Sequence, residues 1–197
     1  MLEVITPASS INLTTAAAVR LNLGDNAPAN DVIEAYIKQA SSAIATYCNR
    51  TLVLETLRET IRLNGRPMIG RLDITLSRYP VVGAPTVTEG DVELEDGIDY
   101  EFDRQTAEFI RLRNDSPSYW PESKKIVIDY DAGYSSSTLP PEIERACIIL
   151  ISGLASFTER DPSVRIEMVS GIGQTSYDLG KGIPSSVAML LAPYRAF

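Results

Sequence analysis

The chain has 197 residues, of which 44% are hydrophobic and 7% aromatic, a composition that suits one large folded domain or one domain with an appendage. No apolar run approaches the roughly 20 residues that a membrane-crossing helix needs, and the start MLEVITPASS lacks the pattern of a signal peptide. We therefore expect a protein made in the cytoplasm, with no membrane partner. The 26 acidic and 18 basic residues give a net charge of −8, which opposes generic attraction to DNA.

Helical signals come first along the chain. The stretch LTTAAAVRLNLG predicts a helix over residues 14–23, capped by one of its threonines and ended by Gly24. Apolar residues at helical spacing predict a second helix over residues 31–49, in which Asp31 and Glu34 fit a capping box. These two helices are the predicted N-terminal helix pair.

Residues 51–134 change to short alternating runs separated by turn residues. Five stretches alternate as half-buried strands do: LRETIRL, RLDITL, DVELEDGIDYEF, FIRLR and KKIVIDY. The third stretch predicts two strands joined at Asp96 and Gly97, and YPVVGAP is expected to be a break between strands. The spacing predicts a small antiparallel sheet, meander or barrel inserted between helices.

The stretch LPPEIERACIILISGLASFTERDP predicts a third, proline-led helix over residues 141–159. Gly153 lies inside it and costs about 1 kcal/mol relative to alanine, so we expect another helix backbone to pass close by. Cys48 and Cys147 fit small core residues on apolar helix faces and not a metal or redox pair. The predicted fold class is α+β, a helical bundle with an inserted small antiparallel β-sheet.

An extended C-terminal arm over residues 161–197 is predicted to follow a body that spans residues 1–160. In the arm, VRIEMV fits a strand, and PSSVAMLLAPYRAF predicts a short terminal helix. We expect the arm to contribute little to the core, because alone it buries too little surface to become ordered. Its apolar tip either folds back on the helices of the body or docks on another chain, and the residues alone leave both open.

Side chains that carry out chemistry are few. The chain has no histidine, which removes the commonest general base and most zinc sites. Gly171 and Gly173 begin an incomplete dinucleotide fingerprint, and the acidic run from Asp91 lacks the glycine and final glutamate of a calcium loop. We therefore predict no catalytic residue, no cofactor and no metal. Two alternatives to a structural protein stay open: a peptide- or sugar-binding module, and an enzyme that works through carboxylates such as Asp99 and Glu101.

Basic residues concentrate late in the β insertion. In FIRLR, alternation places Arg111 and Arg113 on one face of a strand. Such a pair is compatible with contact to an acidic patch of a partner or to a phosphate. It is equally compatible with a strand face that is exposed to solvent.

Taken in order, these segments resemble the head–tail connector (adaptor) proteins of long-tailed bacteriophages and of phage-derived gene transfer agents. The resemblance covers nearly the full length. It lies in LTTAAAVRLNL followed by DVIEAYIKQASSAIATYCNRTL, in YPVVGAPTVTEGDVELEDGIDYEFD, in WPESKKIVIDYDAGYSSSTLPPEIERACIILISGLASFTER, and in the terminal IPSSVAMLLAPYR. The order of helix pair, β insertion, proline-led helix and terminal motif carries the likeness.

The resemblance implies a non-catalytic virion protein at the head–tail junction, made in the cytoplasm of a bacterial host. It implies a homo-oligomeric ring, usually of twelve copies, beneath the portal protein, with DNA passing through without sequence-specific binding. It also implies a docking surface for the stopper or tail-terminator protein. The residues expected to dock on the portal or a neighbouring subunit are Tyr177, Met189, Leu191, Tyr194, Arg195 and Phe197. Those expected to make ring or tail contacts are Arg111 and Arg113.

Overall fold

The computed structural model describes residues 1–63, 73–121, 123–158, 166–169, 173–176 and 183–196. The chain divides into two compact units, each built from two separate segments. Unit 1 comprises Met1–Ser10 and Thr51–Ser135, and unit 2 comprises Ile11–Arg50 and Ser136–Phe197. Unit 1 consists of antiparallel sheets and unit 2 holds the helices, which confirms the predicted α+β class.

The strands of unit 1 form two antiparallel sheets. In chain order they are β1 (Leu2–Thr6), β2 (Glu55–Arg62), β3 (Asp73–Thr75), β4 (Val81–Glu89), β5 (Val92–Leu94), β6 (Tyr100–Asp103), β7 (Glu108–Arg113), β8 (Ser116–Ser118) and β9 (Lys125–Ala132). The first sheet has the order β1-β2-β9-β4-β5. The second has the order β3-β7-β6, and β8 also pairs with β7.

One cluster of buried side chains spans both sheets of unit 1. Leu57, Ile126 and Ile128 from the first sheet have no exposed surface, and Tyr100 and Phe109 from the second are at most 2% exposed. The rings of Tyr100 and Phe109 stack with their centroids 5.8 Å apart. Full burial of each such side chain contributes about 1.5–3 kcal/mol, so this shared cluster is what holds the two sheets together.

The prediction that YPVVGAP separates strands is wrong. Val81–Glu89 is a single strand of nine residues inside the first sheet. Its pairing with β9 is irregular between Val82 and Thr86, where Gly83 has a φ of +74°. Pro85, in the same stretch, has no N–H to give to the ladder. Glycine and proline here produce a local bulge instead of ending the strand.

The two strands predicted on either side of Asp96 and Gly97 are present, but they do not pair with each other as a hairpin would. β5 pairs with β4 and β6 pairs with β7, so the two strands belong to different sheets. The chain crosses between the sheets through a turn in which the Glu95 N–H donates to the carboxylate of Asp99 over 3.0 Å and Gly97 has a φ of +76°. An Asp-Gly pair predicts a turn, but it does not determine which strands the two flanking strands pair with.

Besides β4, two strands of unit 1 had no predicted counterpart. β1 has the sequence LEVIT, whose β-branched residues favour a strand. β8 follows β7 through Asn114 and Asp115, which both have positive φ, as a two-residue type I′ hairpin requires.

Unit 2 contains the helices α1 (Ala16–Leu23), α2 (Asn30–Cys48), α3 (Pro141–Thr158) and α4 (Ser185–Leu191). The first three confirm the predicted helices to within about two residues at each end. The strands β10 (Ile166–Val169) and β11 (Gly173–Ser176) form a ribbon that pairs only with itself among the described residues. Of the described helices, none combines the length and apolar character that crossing a membrane requires.

The N-terminal cap of α1 is the predicted one, whereas that of α2 is not. The Thr15 side chain accepts a hydrogen bond from the Ala18 N–H, so α1 has the predicted threonine cap. The capping box predicted for Asp31 is wrong, because the N-cap of α2 is Ala29, which has no side-chain cap bond. Asn30, the first residue of α2, accepts from the Arg20 guanidinium over 2.8 Å.

The core of unit 2 lies between helices. Its buried isoleucines include Ile33, Ile37 and Ile44 of α2 and Ile143 and Ile151 of α3. The predicted core placement of both cysteines is confirmed, since both are fully buried, and burial raises the pKa of the Cys147 thiol to about 11. The close helix predicted at Gly153 is wrong, because a Cβ added there would meet no atom of the described chain within 4 Å.

Candidate functional site

The C-terminal helix α4 has one inward and one outward face. It lies against α3, and its Val187 and Leu191 have no exposed surface. Met189, two residues from each and therefore on another side of the helix, is 77% exposed. Burying the two inward side chains contributes about 1.5–3 kcal/mol each. The expectation that the arm contributes little to the core is therefore wrong for α4.

A 3₁₀ turn, Ala192–Tyr194, continues α4 and brings the chain end back to α3. The Tyr194 hydroxyl donates a hydrogen bond to Oε2 of Glu142 over 3.1 Å. Glu142 lies in the first turn of α3, where the helix dipole favours a negative charge. The tyrosine thus uses an acceptor that is already held in place by its helix.

The next two residues contact the C-terminal end of α2. The Arg195 guanidinium lies 5.3 Å from the centroid of the Tyr47 ring, within cation–π range. The Ala196 N–H donates to the Cys48 carbonyl over 2.8 Å, which supplies a donor to a helix-end carbonyl. Burial raises the pKa of the Cys48 thiol, and the charges of Arg50 and Arg195 lower it. The chain end is therefore fixed to α2 as well as to α3.

The predicted docking residues fall into groups by exposure. Tyr177 and Phe197 lie outside the described residues. Leu191 is buried within unit 2, so in this conformation it offers no surface to a partner. The other three lie on the same segment, two of them exposed and the tyrosine half-buried. The inward face of α4 is folded back on unit 2. Docking on a partner stays a prediction for Met189, Tyr194 and Arg195.

Two residues of this site were missed by sequence reasoning. Glu142 reads as an ordinary acidic residue at a helix start, and Tyr47 as one more apolar position of α2. Neither is related to residues 194 and 195 by any spacing rule, because the contacts join segments far apart in the chain. From the sequence, the proline-led start of α3 predicts only that Glu142 lies at a helix N-terminus.

Arg111 lies in a half-buried ion-pair network in unit 1. Its Nε donates to Oε2 of Glu89 at 3.0 Å, its Nη1 lies 3.3 Å from Oδ1 of Asp99, and Lys124 Nζ is 2.9 Å from Oε1 of Glu89. Burial by itself would raise the pKa of Glu89, but hydrogen bonds from Lys124 and Arg111 outweigh it and lower that pKa. The guanidinium also lies 6.0 Å from the centroid of the Trp120 ring.

The two arginines of FIRLR therefore have different environments. Arg113 is exposed, whereas the Arg111 side chain is 14% exposed and bound within its own unit. The structure gives Arg111 a structural role. Ring or tail contact stays a prediction for both residues.

One of the two carboxylates considered for catalysis, Glu101, lines a shallow depression of about 300 Å³. It is lined by Glu101, Phe102, Asp103, Glu108 and Ile110. Asp103 accepts from the Gln105 N–H over 2.7 Å and Asp99 from the Glu95 N–H, so both support turns. Among the described residues no group of acidic or cysteine side chains is arranged to hold a metal ion. The depression is an acidic surface on β6 and β7.

Solved structures of similar fold come from phage-like particles. They include a chain from the neck of an empty gene transfer agent particle computed with C6 symmetry, with a TM-score of 0.60. Others come from the virion of a native gene transfer agent particle, with a TM-score of 0.59, and from the neck of a native particle computed with C12 symmetry, with 0.58. Each is 19% identical over 100% of this chain and 96% of the other. These likenesses show a shared fold.

The sequence itself decides the family. No curated protein matches the chain. The family model for head completion protein matches residues 12–197, which is nearly the whole chain. The resemblance to head–tail connectors is thereby confirmed: the chain belongs to the head completion protein family and is a structural component of the head–tail junction of a phage-like particle.

Proposed function

We propose that this connector forms a ring of twelve copies beneath the portal protein, extends the DNA channel, and holds the stopper or tail-terminator protein on its far side. It acts without catalysis. Membership of the head completion family supports a place at this junction. The similar chains from neck structures computed with C6 and C12 symmetry support a ring.

The observation that carries portal docking is the two-faced helix α4. Its inward face is fixed on unit 2, and its outward face presents Met189, with Tyr194 and Arg195 following on the same segment. A surface that is ordered before binding avoids the entropy cost of ordering a free arm, about 1–2 kcal/mol per residue. Leu191 serves this surface by anchoring it. We propose that Tyr177 and Phe197 contact the same partner.

The charge distribution supports passage of DNA without binding. Unit 1 has 17 acidic and 10 basic residues, whereas unit 2 has 9 and 8, so nearly all of the net negative charge belongs to unit 1. A negative surface repels phosphates and releases no counterions on contact with them. DNA would therefore slide past unit 1 instead of adhering to it.

The docking surface is tested by placing a charge on the outward face of α4. Met189→Asp should weaken binding to purified portal by at least about tenfold, because an apolar contact would become a buried, unpaired charge. The melting temperature should stay unchanged, since Met189 is 77% exposed. Leu21→Asp on α1 is the matched control, because Leu21 is 89% exposed in the same unit. Equal effects of the two substitutions on portal binding would contradict the proposal.

The ring is tested by electron microscopy of the full chain mixed with portal. A ring stacked coaxially on the portal is the expected result, and its symmetry gives the copy number. Attachment of single copies, or of a ring that is not coaxial with the portal, would show the proposed assembly to be wrong.

A further inference from the structure

Strand β1 forms an open edge of the first sheet. The Met1 ammonium donates to the Thr60 carbonyl over 2.6 Å, and the Thr60 N–H donates back to the Met1 carbonyl over 2.8 Å. Bonded and non-bonded pairs alternate along an antiparallel ladder, so the N–H and C=O groups of Leu2 and Val4 point away from β2. Within the described part of the chain, no strand pairs with that side of β1. Such a row of backbone groups is a template for adding a strand.

The same edge leaves apolar surface uncovered. Val4 lies opposite Leu57, so the two side chains share a face of the sheet. Leu57 has no exposed surface, whereas Val4 is 47% exposed because β1 is the last strand. Leu2 on the same face packs partly against the core cluster. An added strand would complete the covering of this face.

The opposite edge of the sheet is protected. β5 has three residues, and its central Glu93 is exposed between Asp91 and Glu95, which are exposed as well. The Glu95 N–H is already taken by Asp99. A short strand flanked by like charges discourages pairing. Of the two strands that end the described sheet, β1 is therefore the open one, and β5 of another copy is a poor partner for it.

The ribbon β10–β11 of a second copy fits that edge. Its strands pair only with each other in the described chain, and an isolated two-stranded ribbon is marginal in water. A third strand would stabilise it. The ribbon belongs to unit 2 and β1 to unit 1, so a contact between copies would join two different surfaces. Contacts of this heterologous kind generate a ring when the rotation between successive copies closes.

We propose that β1 of one copy pairs with the β10–β11 ribbon of a second copy, through the outward backbone groups of Leu2 and Val4. The inference rests on the ring proposed above and assigns its subunit contact. The added strand covers the exposed side of Val4, and the pairing repeats at every junction around the ring.

A charge on the open edge tests the contact. Val4→Lys should raise the Kd of self-association, measured by analytical ultracentrifugation, on the order of tenfold or more. Val82→Lys is the matched control, because Val82 is 42% exposed but is paired with Asp131 of β9 and does not lie on β1. The control should change the Kd less than about twofold. Unchanged association of Val4→Lys would overturn the inference.

Cysteine crosslinking identifies the partner strand even if the lysine variant folds poorly. Val4→Cys is mixed with chains that carry one added cysteine within Ile166–Val169 or on β11, so that a disulfide can only join two copies. The two native cysteines are buried and do not interfere. Every second position of one ribbon strand should crosslink, and Val82→Cys should crosslink to none. A Val4→Cys chain that crosslinks only to itself would overturn the inference.

Electron microscopy of the same samples separates this contact from the proposed function. Rings that form on the portal without the crosslink would overturn the β1 contact and leave the ring intact. Crosslinked copies that do not assemble on the portal would support the β1 contact and contradict the proposed function.

Discussion

The Tyr194 hydroxyl lies 3.1 Å from Oε2 of Glu142, and this hydrogen bond joins residues 52 positions apart in the chain. It connects the turn after α4 to the first turn of α3. Because the apolar anchoring of α4 is made by Val187 and Leu191, the polar contact can be removed without disturbing that packing. The two parts of the attachment can therefore be measured separately.

Tyr194→Phe should lower the free energy of unfolding by about 0.5–1.5 kcal/mol, since it deletes a hydrogen-bonding group and keeps the ring. Urea denaturation measures the change. Tyr119→Phe is the control, because Tyr119 is 64% exposed, and it should have no effect. Loss of portal binding at unchanged stability would mean that the hydroxyl contacts the portal and not Glu142.

Leu191→Ala should lower the free energy of unfolding by about 2–4 kcal/mol, because it leaves a cavity at a fully buried position. Leu190→Ala, at a partly exposed position on the same helix, should cost less. Truncation after Gly182 should destabilise unit 2 for the same reason. A truncated chain that melts at the wild-type temperature would show that α4 is not part of the core.

Gly153→Ala should raise the free energy of unfolding by about 0.5–1 kcal/mol, because alanine favours the helix and its Cβ would meet no atom of the described residues within 4 Å. Thermal denaturation of the purified chain measures this. A destabilised variant would contradict the open space seen beside α3. A stabilised variant that no longer assembles would show that a neighbouring subunit covers Gly153.

The stability of unit 1 should depend on Glu89 in mildly acidic solution. Its pKa is lowered in the folded chain, so the stability it contributes is present above about 4.5, the ordinary value, and is lost as the pH falls through the folded pKa. Glu89→Gln should cost about 1.5–3 kcal/mol at pH 7 and progressively less below pH 4.5. Glu93→Gln, at an exposed position, is the control. A difference that is constant with pH would contradict the lowered pKa.

Arg111→Ala should lower the free energy of unfolding by about 3 kcal/mol, because it removes a partner from the buried Glu89 carboxylate. Arg113→Ala should stay within about 0.5 kcal/mol, as substitutions at exposed sites usually do. Urea denaturation compares the two. If Arg113→Ala impairs assembly at full stability, the predicted ring or tail contact belongs to Arg113.

The helices were predictable from the sequence and the strand pairings were not. The limits of α1 depend on the Thr15 cap and on Gly24, which are local signals. β1 pairs with β2, more than fifty residues later, and β2 pairs with β9, about seventy residues further on. No pattern within a strand names a partner at such distances. The turn signals near Gly83 are local, and the strand break predicted from them is therefore wrong.

The site was predictable only in part for the same reason. The spacing within α4 shows which residues share a face, but α3 decides which face is inward, and so Leu191 is an anchor while Met189 is exposed. The need for glycine at position 133, in IDYDAGY, also depends on a segment that is distant in the chain. A Cβ on Gly133 would overlap the Val53 carbonyl oxygen, a contact that the motif alone does not reveal.

The interleaving of the two units has a consequence for synthesis on the ribosome. β1 emerges before its partner β2, and α1 and α2 emerge long before α3 and α4 can complete their core. Any nascent or nicked polypeptide that stops before residue 183 lacks both the final anchor and the Met189 surface. If assembly requires the docking surface proposed above, only copies translated through α4 would join a particle, and the order of the chain would itself exclude incomplete subunits.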